Sequence, residues 1–195
     1  EAVHEEIEWN NEVAHSNYGY TKHLGEYELW RGREEGLATV AINPGIILGY
    51  GDWSKGSNQL FGNAANQFPF YSSGITGWVG VKDVARIAEK LCLVDIENER
   101  FVLVSENKSF KEIAFTMADA LGKKRPRIEV KGWLYNLVYA IVSIKEILGL
   151  RGMLSKETVR ASVAVNHFNN TKVKRALNFK FQPMKAVIEE AIVSS

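Results

Sequence analysis

The run Leu37-Ala38-Thr39-Val40-Ala41-Ile42 constrains this chain most: six residues without a charge, held between Gly36 and Asn43-Pro44-Gly45. An apolar run with β-branched residues and no polar alternation suits a buried parallel strand. Ahead of it, Tyr20, Leu24, Tyr27 and Leu29-Trp30 recur at helical spacing in a segment from about Tyr18 to Glu35. Gly36 stands where a helix-ending glycine is expected. A helix feeding a buried strand is half of a βαβ unit, and the expected class is α/β.

Further elements follow the same logic. Gly49 to Gly56 is glycine-rich and predicts a loop. Asn58 to Ala65 predicts a helix, Phe68-Pro69-Phe70-Tyr71 an aromatic turn, and Trp78-Val79-Gly80-Val81 a short strand. Asp83 can open a helix that runs on through Leu91, because its carboxylate can accept a bond from a free first-turn amide. Arg100 to Val104 predicts a second strand. Ser109 followed by Glu112 is a capping-box pattern opening a helix from Phe110 to Leu121. Lys123 to Arg127 is a basic loop, for which solvation is a simpler reading than phosphate binding. Helices are expected over about Trp133 to Leu148, from near Ser155, and over Lys185 to Val193.

Composition removes several function classes. Lys and Arg number 24 against 23 Asp and Glu, which gives no electrostatic case for nucleic acid. The single cysteine, Cys92, cannot form an internal disulfide; it reads as a small buried apolar residue in a reducing, cytoplasmic compartment. His4, His15, His23 and His167 show no ligand spacing, so no metal is expected. The most apolar run, Trp133 to Ile144, is too short to span a bilayer and predicts a buried or interfacial helix, with no integral membrane segment. Glu1 to Glu8 is acidic and carries no signal-peptide pattern. Residue 1 is not methionine, which suggests a start inside a longer protein.

Chemistry enters at Ser16-Asn17-Tyr18-Gly19-Tyr20-Thr21-Lys22. Tyr18 and Lys22 are four apart and share one helix face. A free tyrosine titrates near 10, too high to exchange protons readily at neutral pH. A neighbouring ammonium stabilises the phenolate and brings that value down, so the phenol can give a proton to a carbonyl or take one from an alcohol. Tyr20 has Leu24 four residues on and no matching lysine. Taken alone the pair is a weak signal, since a surface lysine beside a packed tyrosine has the same spacing.

The wider pattern is more specific. Tyr18-Gly-Tyr-Thr-Lys22, then Gly25-Glu26, then Asn43-Pro44-Gly45-Ile46-Ile47-Leu48-Gly49 resembles the extended short-chain dehydrogenase/reductases, in the dihydroflavonol-reductase-like branch of the NAD-dependent epimerase/dehydratase family. Trp78-Val79-Gly80-Val81-Lys82-Asp83-Val84-Ala85, Asn107 to Gly122 and Asn170 to Phe179 extend the likeness over nearly the whole chain. It implies the carboxy-terminal part of a Rossmann-type doubly wound parallel sheet with a smaller, mainly helical substrate-binding lobe. Residues 1–50 would carry the catalytic helix and following strand, and 51–195 the lobe, with 78–106 returning to the sheet. It implies Tyr18 as general acid/base, Lys22 assisting it and holding the nicotinamide ribose, and the backbone of Pro44, Gly45, Ile46 and Ile47 against the nicotinamide end of NAD or NADP. Asn58, Gln59, Phe61, Phe68, Phe70 and Tyr71 are candidate lining residues for a small carbonyl or alcohol substrate, with core packing an equal alternative for Phe61 and Phe70. The Trp133 to Ile144 helix could floor an apolar pocket, although ordinary packing is simpler. The family's catalytic helices often pair across a homodimer, which Tyr20, Leu24 and Tyr27 would suit as well as they would suit internal packing.

Two family parts have no counterpart. No glycine-rich pyrophosphate fingerprint occurs: Gly49-Tyr50-Gly51 is followed by Ser54 where a third glycine belongs, and it follows the wrong strand. The hydroxyl that holds the substrate carbonyl lies well upstream of the tyrosine in the family, and Ser16 is too near to be it. The expectation is an absent amino-terminal cofactor half, weak or no cofactor binding, and no turnover from these 195 residues alone.

Overall fold

A computed structural model describes residues 2–7, 9–10, 16–147 and 156–193. In chain order the elements are α1 (Asn17–Glu34), β1 (Val40–Pro44), β2 (Ile46–Leu48), α2 (Gln59–Ala65), β3 (Phe70–Tyr71), β4 (Ile75–Gly80), α3 (Val81–Leu93) and β5 (Glu99–Leu103). There follow β6 (Glu106–Ser109), α4 (Phe110–Ala120), β7 (Ile128–Glu129), α5 (Gly132–Ile147), α6 (Lys156–Val163), α7 (Thr171–Leu177) and α8 (Met184–Val193). His15, Leu148 and Ser155 lie outside the described residues.

β1 pairs in parallel with β5, Val40 opposite Glu99 through Pro44 opposite Leu103. The βαβ expectation is met, with the strand starting three residues late. Leu37 is exposed and Ala38 and Thr39 lie outside the ladder, because β5 begins opposite Val40. Within β1 only Ala41 is buried. Among the described residues no strand pairs the other edge of β1.

Asn43-Pro44-Gly45 is not a turn. Asn43 and Pro44 complete β1, the Gly45 amide donates to the Leu103 carbonyl at 3.0 Å, and the chain continues as β2 into a second sheet. There β2 runs parallel to β4, and β4 runs antiparallel to β6. The crossing needs glycine: a Cβ at Gly45 would collide with the carbonyl of Gly77. Proline is tolerated next to it because the Gly45 amide, not that of residue 44, donates to β5, so the ladder does not call on the amide that proline lacks.

β4 lies between two cores. Its side chains alternate between faces. Trp78 joins Leu48, Phe61, Ile113, Met117, Met184 and Ile188 beneath α2, α4 and α8. Val79 joins Ile87, Leu91, Phe101, Leu103, Val173 and Leu177 beneath α3 and α7. The Trp78 indole N–H, which burial would otherwise leave unmet, donates to the Lys108 carbonyl at 2.9 Å.

Three local expectations need correction. The cap of α3 is Gly80, not Asp83. Asp83 sits in the first turn, 1% exposed, where its carboxylate accepts from the Gln182 amide at 2.7 Å. Cys92 is exposed, because α3 turns Asp83, Ile87 and Leu91 inward and Cys92 lies about 100° around the helix from Leu91. Phe70-Tyr71 is a short strand, paired in parallel with β7, rather than part of a turn. The Ser109–Glu112 capping box at α4 is present as expected.

Candidate active site

Helix α1 begins at Ser16, whose hydroxyl accepts from the Gly19 amide at 2.8 Å. This cap fixes the first turn, and Tyr18 lies in it. The Lys22 ammonium stands over the Tyr18 ring, 5.4 Å from its centroid, within cation–π range. Tyr18 is 68% exposed, so neither group is sealed in the interior.

The next residue on that face is Glu26, four beyond Lys22. One of its carboxylate oxygens meets Arg100 at 3.2 Å and also accepts from the Trp30 indole at 3.2 Å. The other accepts from the Asn43 side chain at 3.3 Å. Asn43 is one residue short of the carboxyl end of β1. Farther along α1, Trp30 and Arg33 line a polar depression with Asn98, Glu99 and Arg100, at the start of β5. The helix therefore runs back along the strands. Tyr18, two turns before Glu26, is about 12 Å along the axis on the carboxyl-end side. The crevice outside the carboxyl ends of parallel strands is where open α/β sheets bind ligands.

Glu26, Asn43 and Arg100 were not singled out as site residues from the sequence. The available signal was the position of Glu26, one more helical turn along the Tyr18–Lys22 face. Its partners come from strands remote in sequence, and only the fold brings them together.

The segment proposed to meet the nicotinamide continues from Asn43. Pro44 is exposed, and Gly45, Ile46 and Ile47 are half-buried. The Ile47 carbonyl accepts from the Ser57 hydroxyl, which binds β2 to the segment leading into α2. In the intervening loop the Asp52 carboxyl is held down at about 2, chiefly by the Ser54 hydroxyl and amide and then by Lys55. Asn58 and Gln59 follow, both half-buried. Phe61 is fully buried and stacked on Trp53, a core position. Phe70 is half-buried against Phe68, and Tyr71 meets the edge of Phe115. The helix expected to floor an apolar pocket does not close one with its outer face: Trp133, Leu137, Ile141 and Ile144 are exposed. Among the described residues no cluster of three His, Cys, Asp or Glu side chains could hold a metal ion, and no helix is long and apolar enough to cross a membrane.

No family model and no curated protein matches this sequence. Solved structures do match. The crystal structure of gox2253 superposes with a TM-score of 0.79 at 22% identity, over 98% of this chain and 59% of that one. A nucleoside-diphosphate-sugar epimerase from Pseudomonas aeruginosa gives 0.78 at 16% identity, with the same coverages. The UDP-glucose 4-epimerase of Thermus thermophilus, solved in complex with NAD, gives 0.66 at 16%, over 98% of this chain and 58% of that one. The present chain thus spans about three-fifths of the length of these structures. Over almost all of its own length it has their fold, part of a Rossmann-type α/β architecture.

Proposed function

We propose that this chain is the Tyr–Lys portion of an NAD(P)-dependent oxidoreductase of the extended short-chain dehydrogenase/reductase type. The observation that carries the reading is the placement of Tyr18 and Lys22, adjacent and open to solvent, on the carboxyl-end side of β1. The nicotinamide, when bound, accepts or donates the hydride. Tyr18 moves the proton at the substrate oxygen, acting as acid toward a carbonyl or base toward an alcohol. Lys22 stabilises the phenolate by charge and holds the ribose hydroxyls. Pro44, Gly45, Ile46 and Ile47 present backbone to the nicotinamide end. Asn58, Gln59 and Phe70 line the substrate side; Phe61 contributes through the core. The pyrophosphate would fall to residues outside these 195, which hold no glycine-rich fingerprint.

A second reading has a specific observation behind it: two of the structures that share this fold are nucleotide-sugar epimerases. Tyr18 would then take the proton of a sugar hydroxyl and later return one, with the hydride held meanwhile by a bound dinucleotide and given back to the other face of the carbon. The test uses a protein that joins this chain to a glycine-rich cofactor half, with NAD(P)H turnover followed on carbonyl compounds and isomer conversion followed on nucleotide sugars. Tyr18→Phe should lower kcat by roughly 10²–10⁴-fold in whichever assay is active. Lys22→Met should lower kcat and raise the cofactor KM. Net coenzyme consumption favours the reductase, conversion without it the epimerase. Activity untouched by Tyr18→Phe removes the tyrosine from the mechanism.

A further inference from the structure

Helix α5 has no charged residue from Gly132 through Ile144. A surface helix ordinarily turns polar and charged side chains to water. Here the inward face is taken by Val142, which is buried, and by the stacked Tyr135 and Tyr139, with the Arg160 guanidinium of α6 bonded to the Tyr139 hydroxyl at 2.8 Å. On the opposite face Trp133, Leu137, Ile141 and Ile144 form one stripe spanning about 80° of arc. Each is at least 45% exposed, and Trp133 is 75% exposed.

Its flanks narrow the choice of occupant. Between Lys123 and Lys131 the chain carries Lys123, Lys124, Arg125, Arg127 and Lys131 against the single acid Glu129. Arg125 is paired with Asp119 and Lys131 with Glu129, which leaves Lys123, Lys124 and Arg127 as the surplus. At the other end Lys145 is followed at once by Glu146, so that end carries no net charge in sequence. An anionic surface takes this basic flank favourably. Sixteen residues make a helix about 24 Å long, short of the roughly 30 Å hydrocarbon core and suited to lying along the interface. Trp133 at the helix start is the residue type that settles at headgroup level.

We propose that α5 is an interfacial helix that seats this protein on an anionic bilayer surface, the Trp133–Leu137–Ile141–Ile144 stripe entering the headgroup–acyl boundary and the Lys123–Lys131 segment meeting lipid phosphates. The site is independent of Tyr18 and Lys22. It is tested by co-sedimentation of the 195-residue protein with vesicles of phosphatidylcholine alone and of equimolar phosphatidylcholine and phosphatidylglycerol, in low and high salt. Binding is expected on the mixed vesicles, weakened by salt and by omission of the anionic lipid. The double variant Leu137→Glu/Ile141→Glu, at exposed positions, should weaken it by about tenfold or more while leaving circular dichroism unchanged. Leu37→Glu, exposed beside β1, serves as control and should bind as the parent does. Absence of binding to the mixed vesicles overturns the proposal. So does equal loss in the Leu37 variant, or a self-association in sedimentation velocity that the double variant abolishes, which would assign the stripe to a second copy.

Discussion

Glu26 holds Arg100 at 3.2 Å and Asn43 at 3.3 Å with its two carboxylate oxygens, and so moors the helix bearing Tyr18 to both strands of the parallel pair. Helix α1 has no fully buried residue, so this polar clamp takes a share of the work that apolar packing does elsewhere. The Arg100 Nε already lacks a partner, and loss of Glu26 would strip a second contact from a half-buried guanidinium. Glu26→Ala should lower the free energy of local opening of α1 by about 1.5–3 kcal/mol, the range for hydrogen bonds to charged groups. Amide exchange should report the change in α1 and spare α4.

Gly45→Ala tests the crossing between sheets. The added methyl meets the Gly77 backbone, which cannot rotate away as a side chain would. Overpacking of this kind costs about 3 kcal/mol at the upper end of its usual range. For a chain of this size the melting temperature should fall by roughly 6–12 °C, read by calorimetry.

Asp83 secures the segment that leads into α8. Asp83→Ala would leave the Gln182 amide without its acceptor, at a cost of about 1–3 kcal/mol. Asp83→Asn keeps an acceptor oxygen and should recover most of it. Urea denaturation of the two variants separates loss of the hydrogen bond from loss of the charge.

The capping box gives a pH-dependent prediction. The Ser109 amide and hydroxyl hold the Glu112 carboxyl below its ordinary value of 4.5. A depressed folded value means that this contribution is fully present above the unfolded value and is lost as pH falls through the folded one. Ser109→Ala should cost about 1 kcal/mol at neutral pH. In denaturation series at falling pH, the gap between variant and parent should narrow below about pH 4.5, as protonation removes what the serine supplied.

Where local chemistry and tertiary demand agree, the elements can be read from the sequence. Ser109 and Glu112 satisfy each other within one turn, Arg100 to Val104 is apolar enough to need two covered faces, and Tyr18 and Lys22 meet through helical spacing alone. β6 gave no such sign: Glu106-Asn107-Lys108-Ser109 is wholly polar and becomes a strand because β4 offers it a ladder and Trp78 needs the Lys108 carbonyl. Asn43-Pro44-Gly45 has turn residues in turn order, yet the β1–β5 ladder asks for the Gly45 amide and not for the one proline lacks, so the proline stays in the strand. Cys92 fails for a smaller reason, since a residue one step past an inward leucine is no longer inward. The surroundings of Tyr18 were hidden because Arg100 is seventy-four positions after Glu26, and sequence spacing does not reach that far.

The passage of one strand through Gly45 from the first sheet to the second makes the two sheets a continuous girder rather than two plates joined by a flexible strip. A displacement of β2 would be felt at Asn43 and, through Glu26, at the middle of the helix that presents Tyr18. Anyone replacing the chain beyond β2 should therefore splice after Gly49, leaving that joint whole, because a seam placed at the proline and glycine would unhitch Tyr18 and Lys22 from their footing.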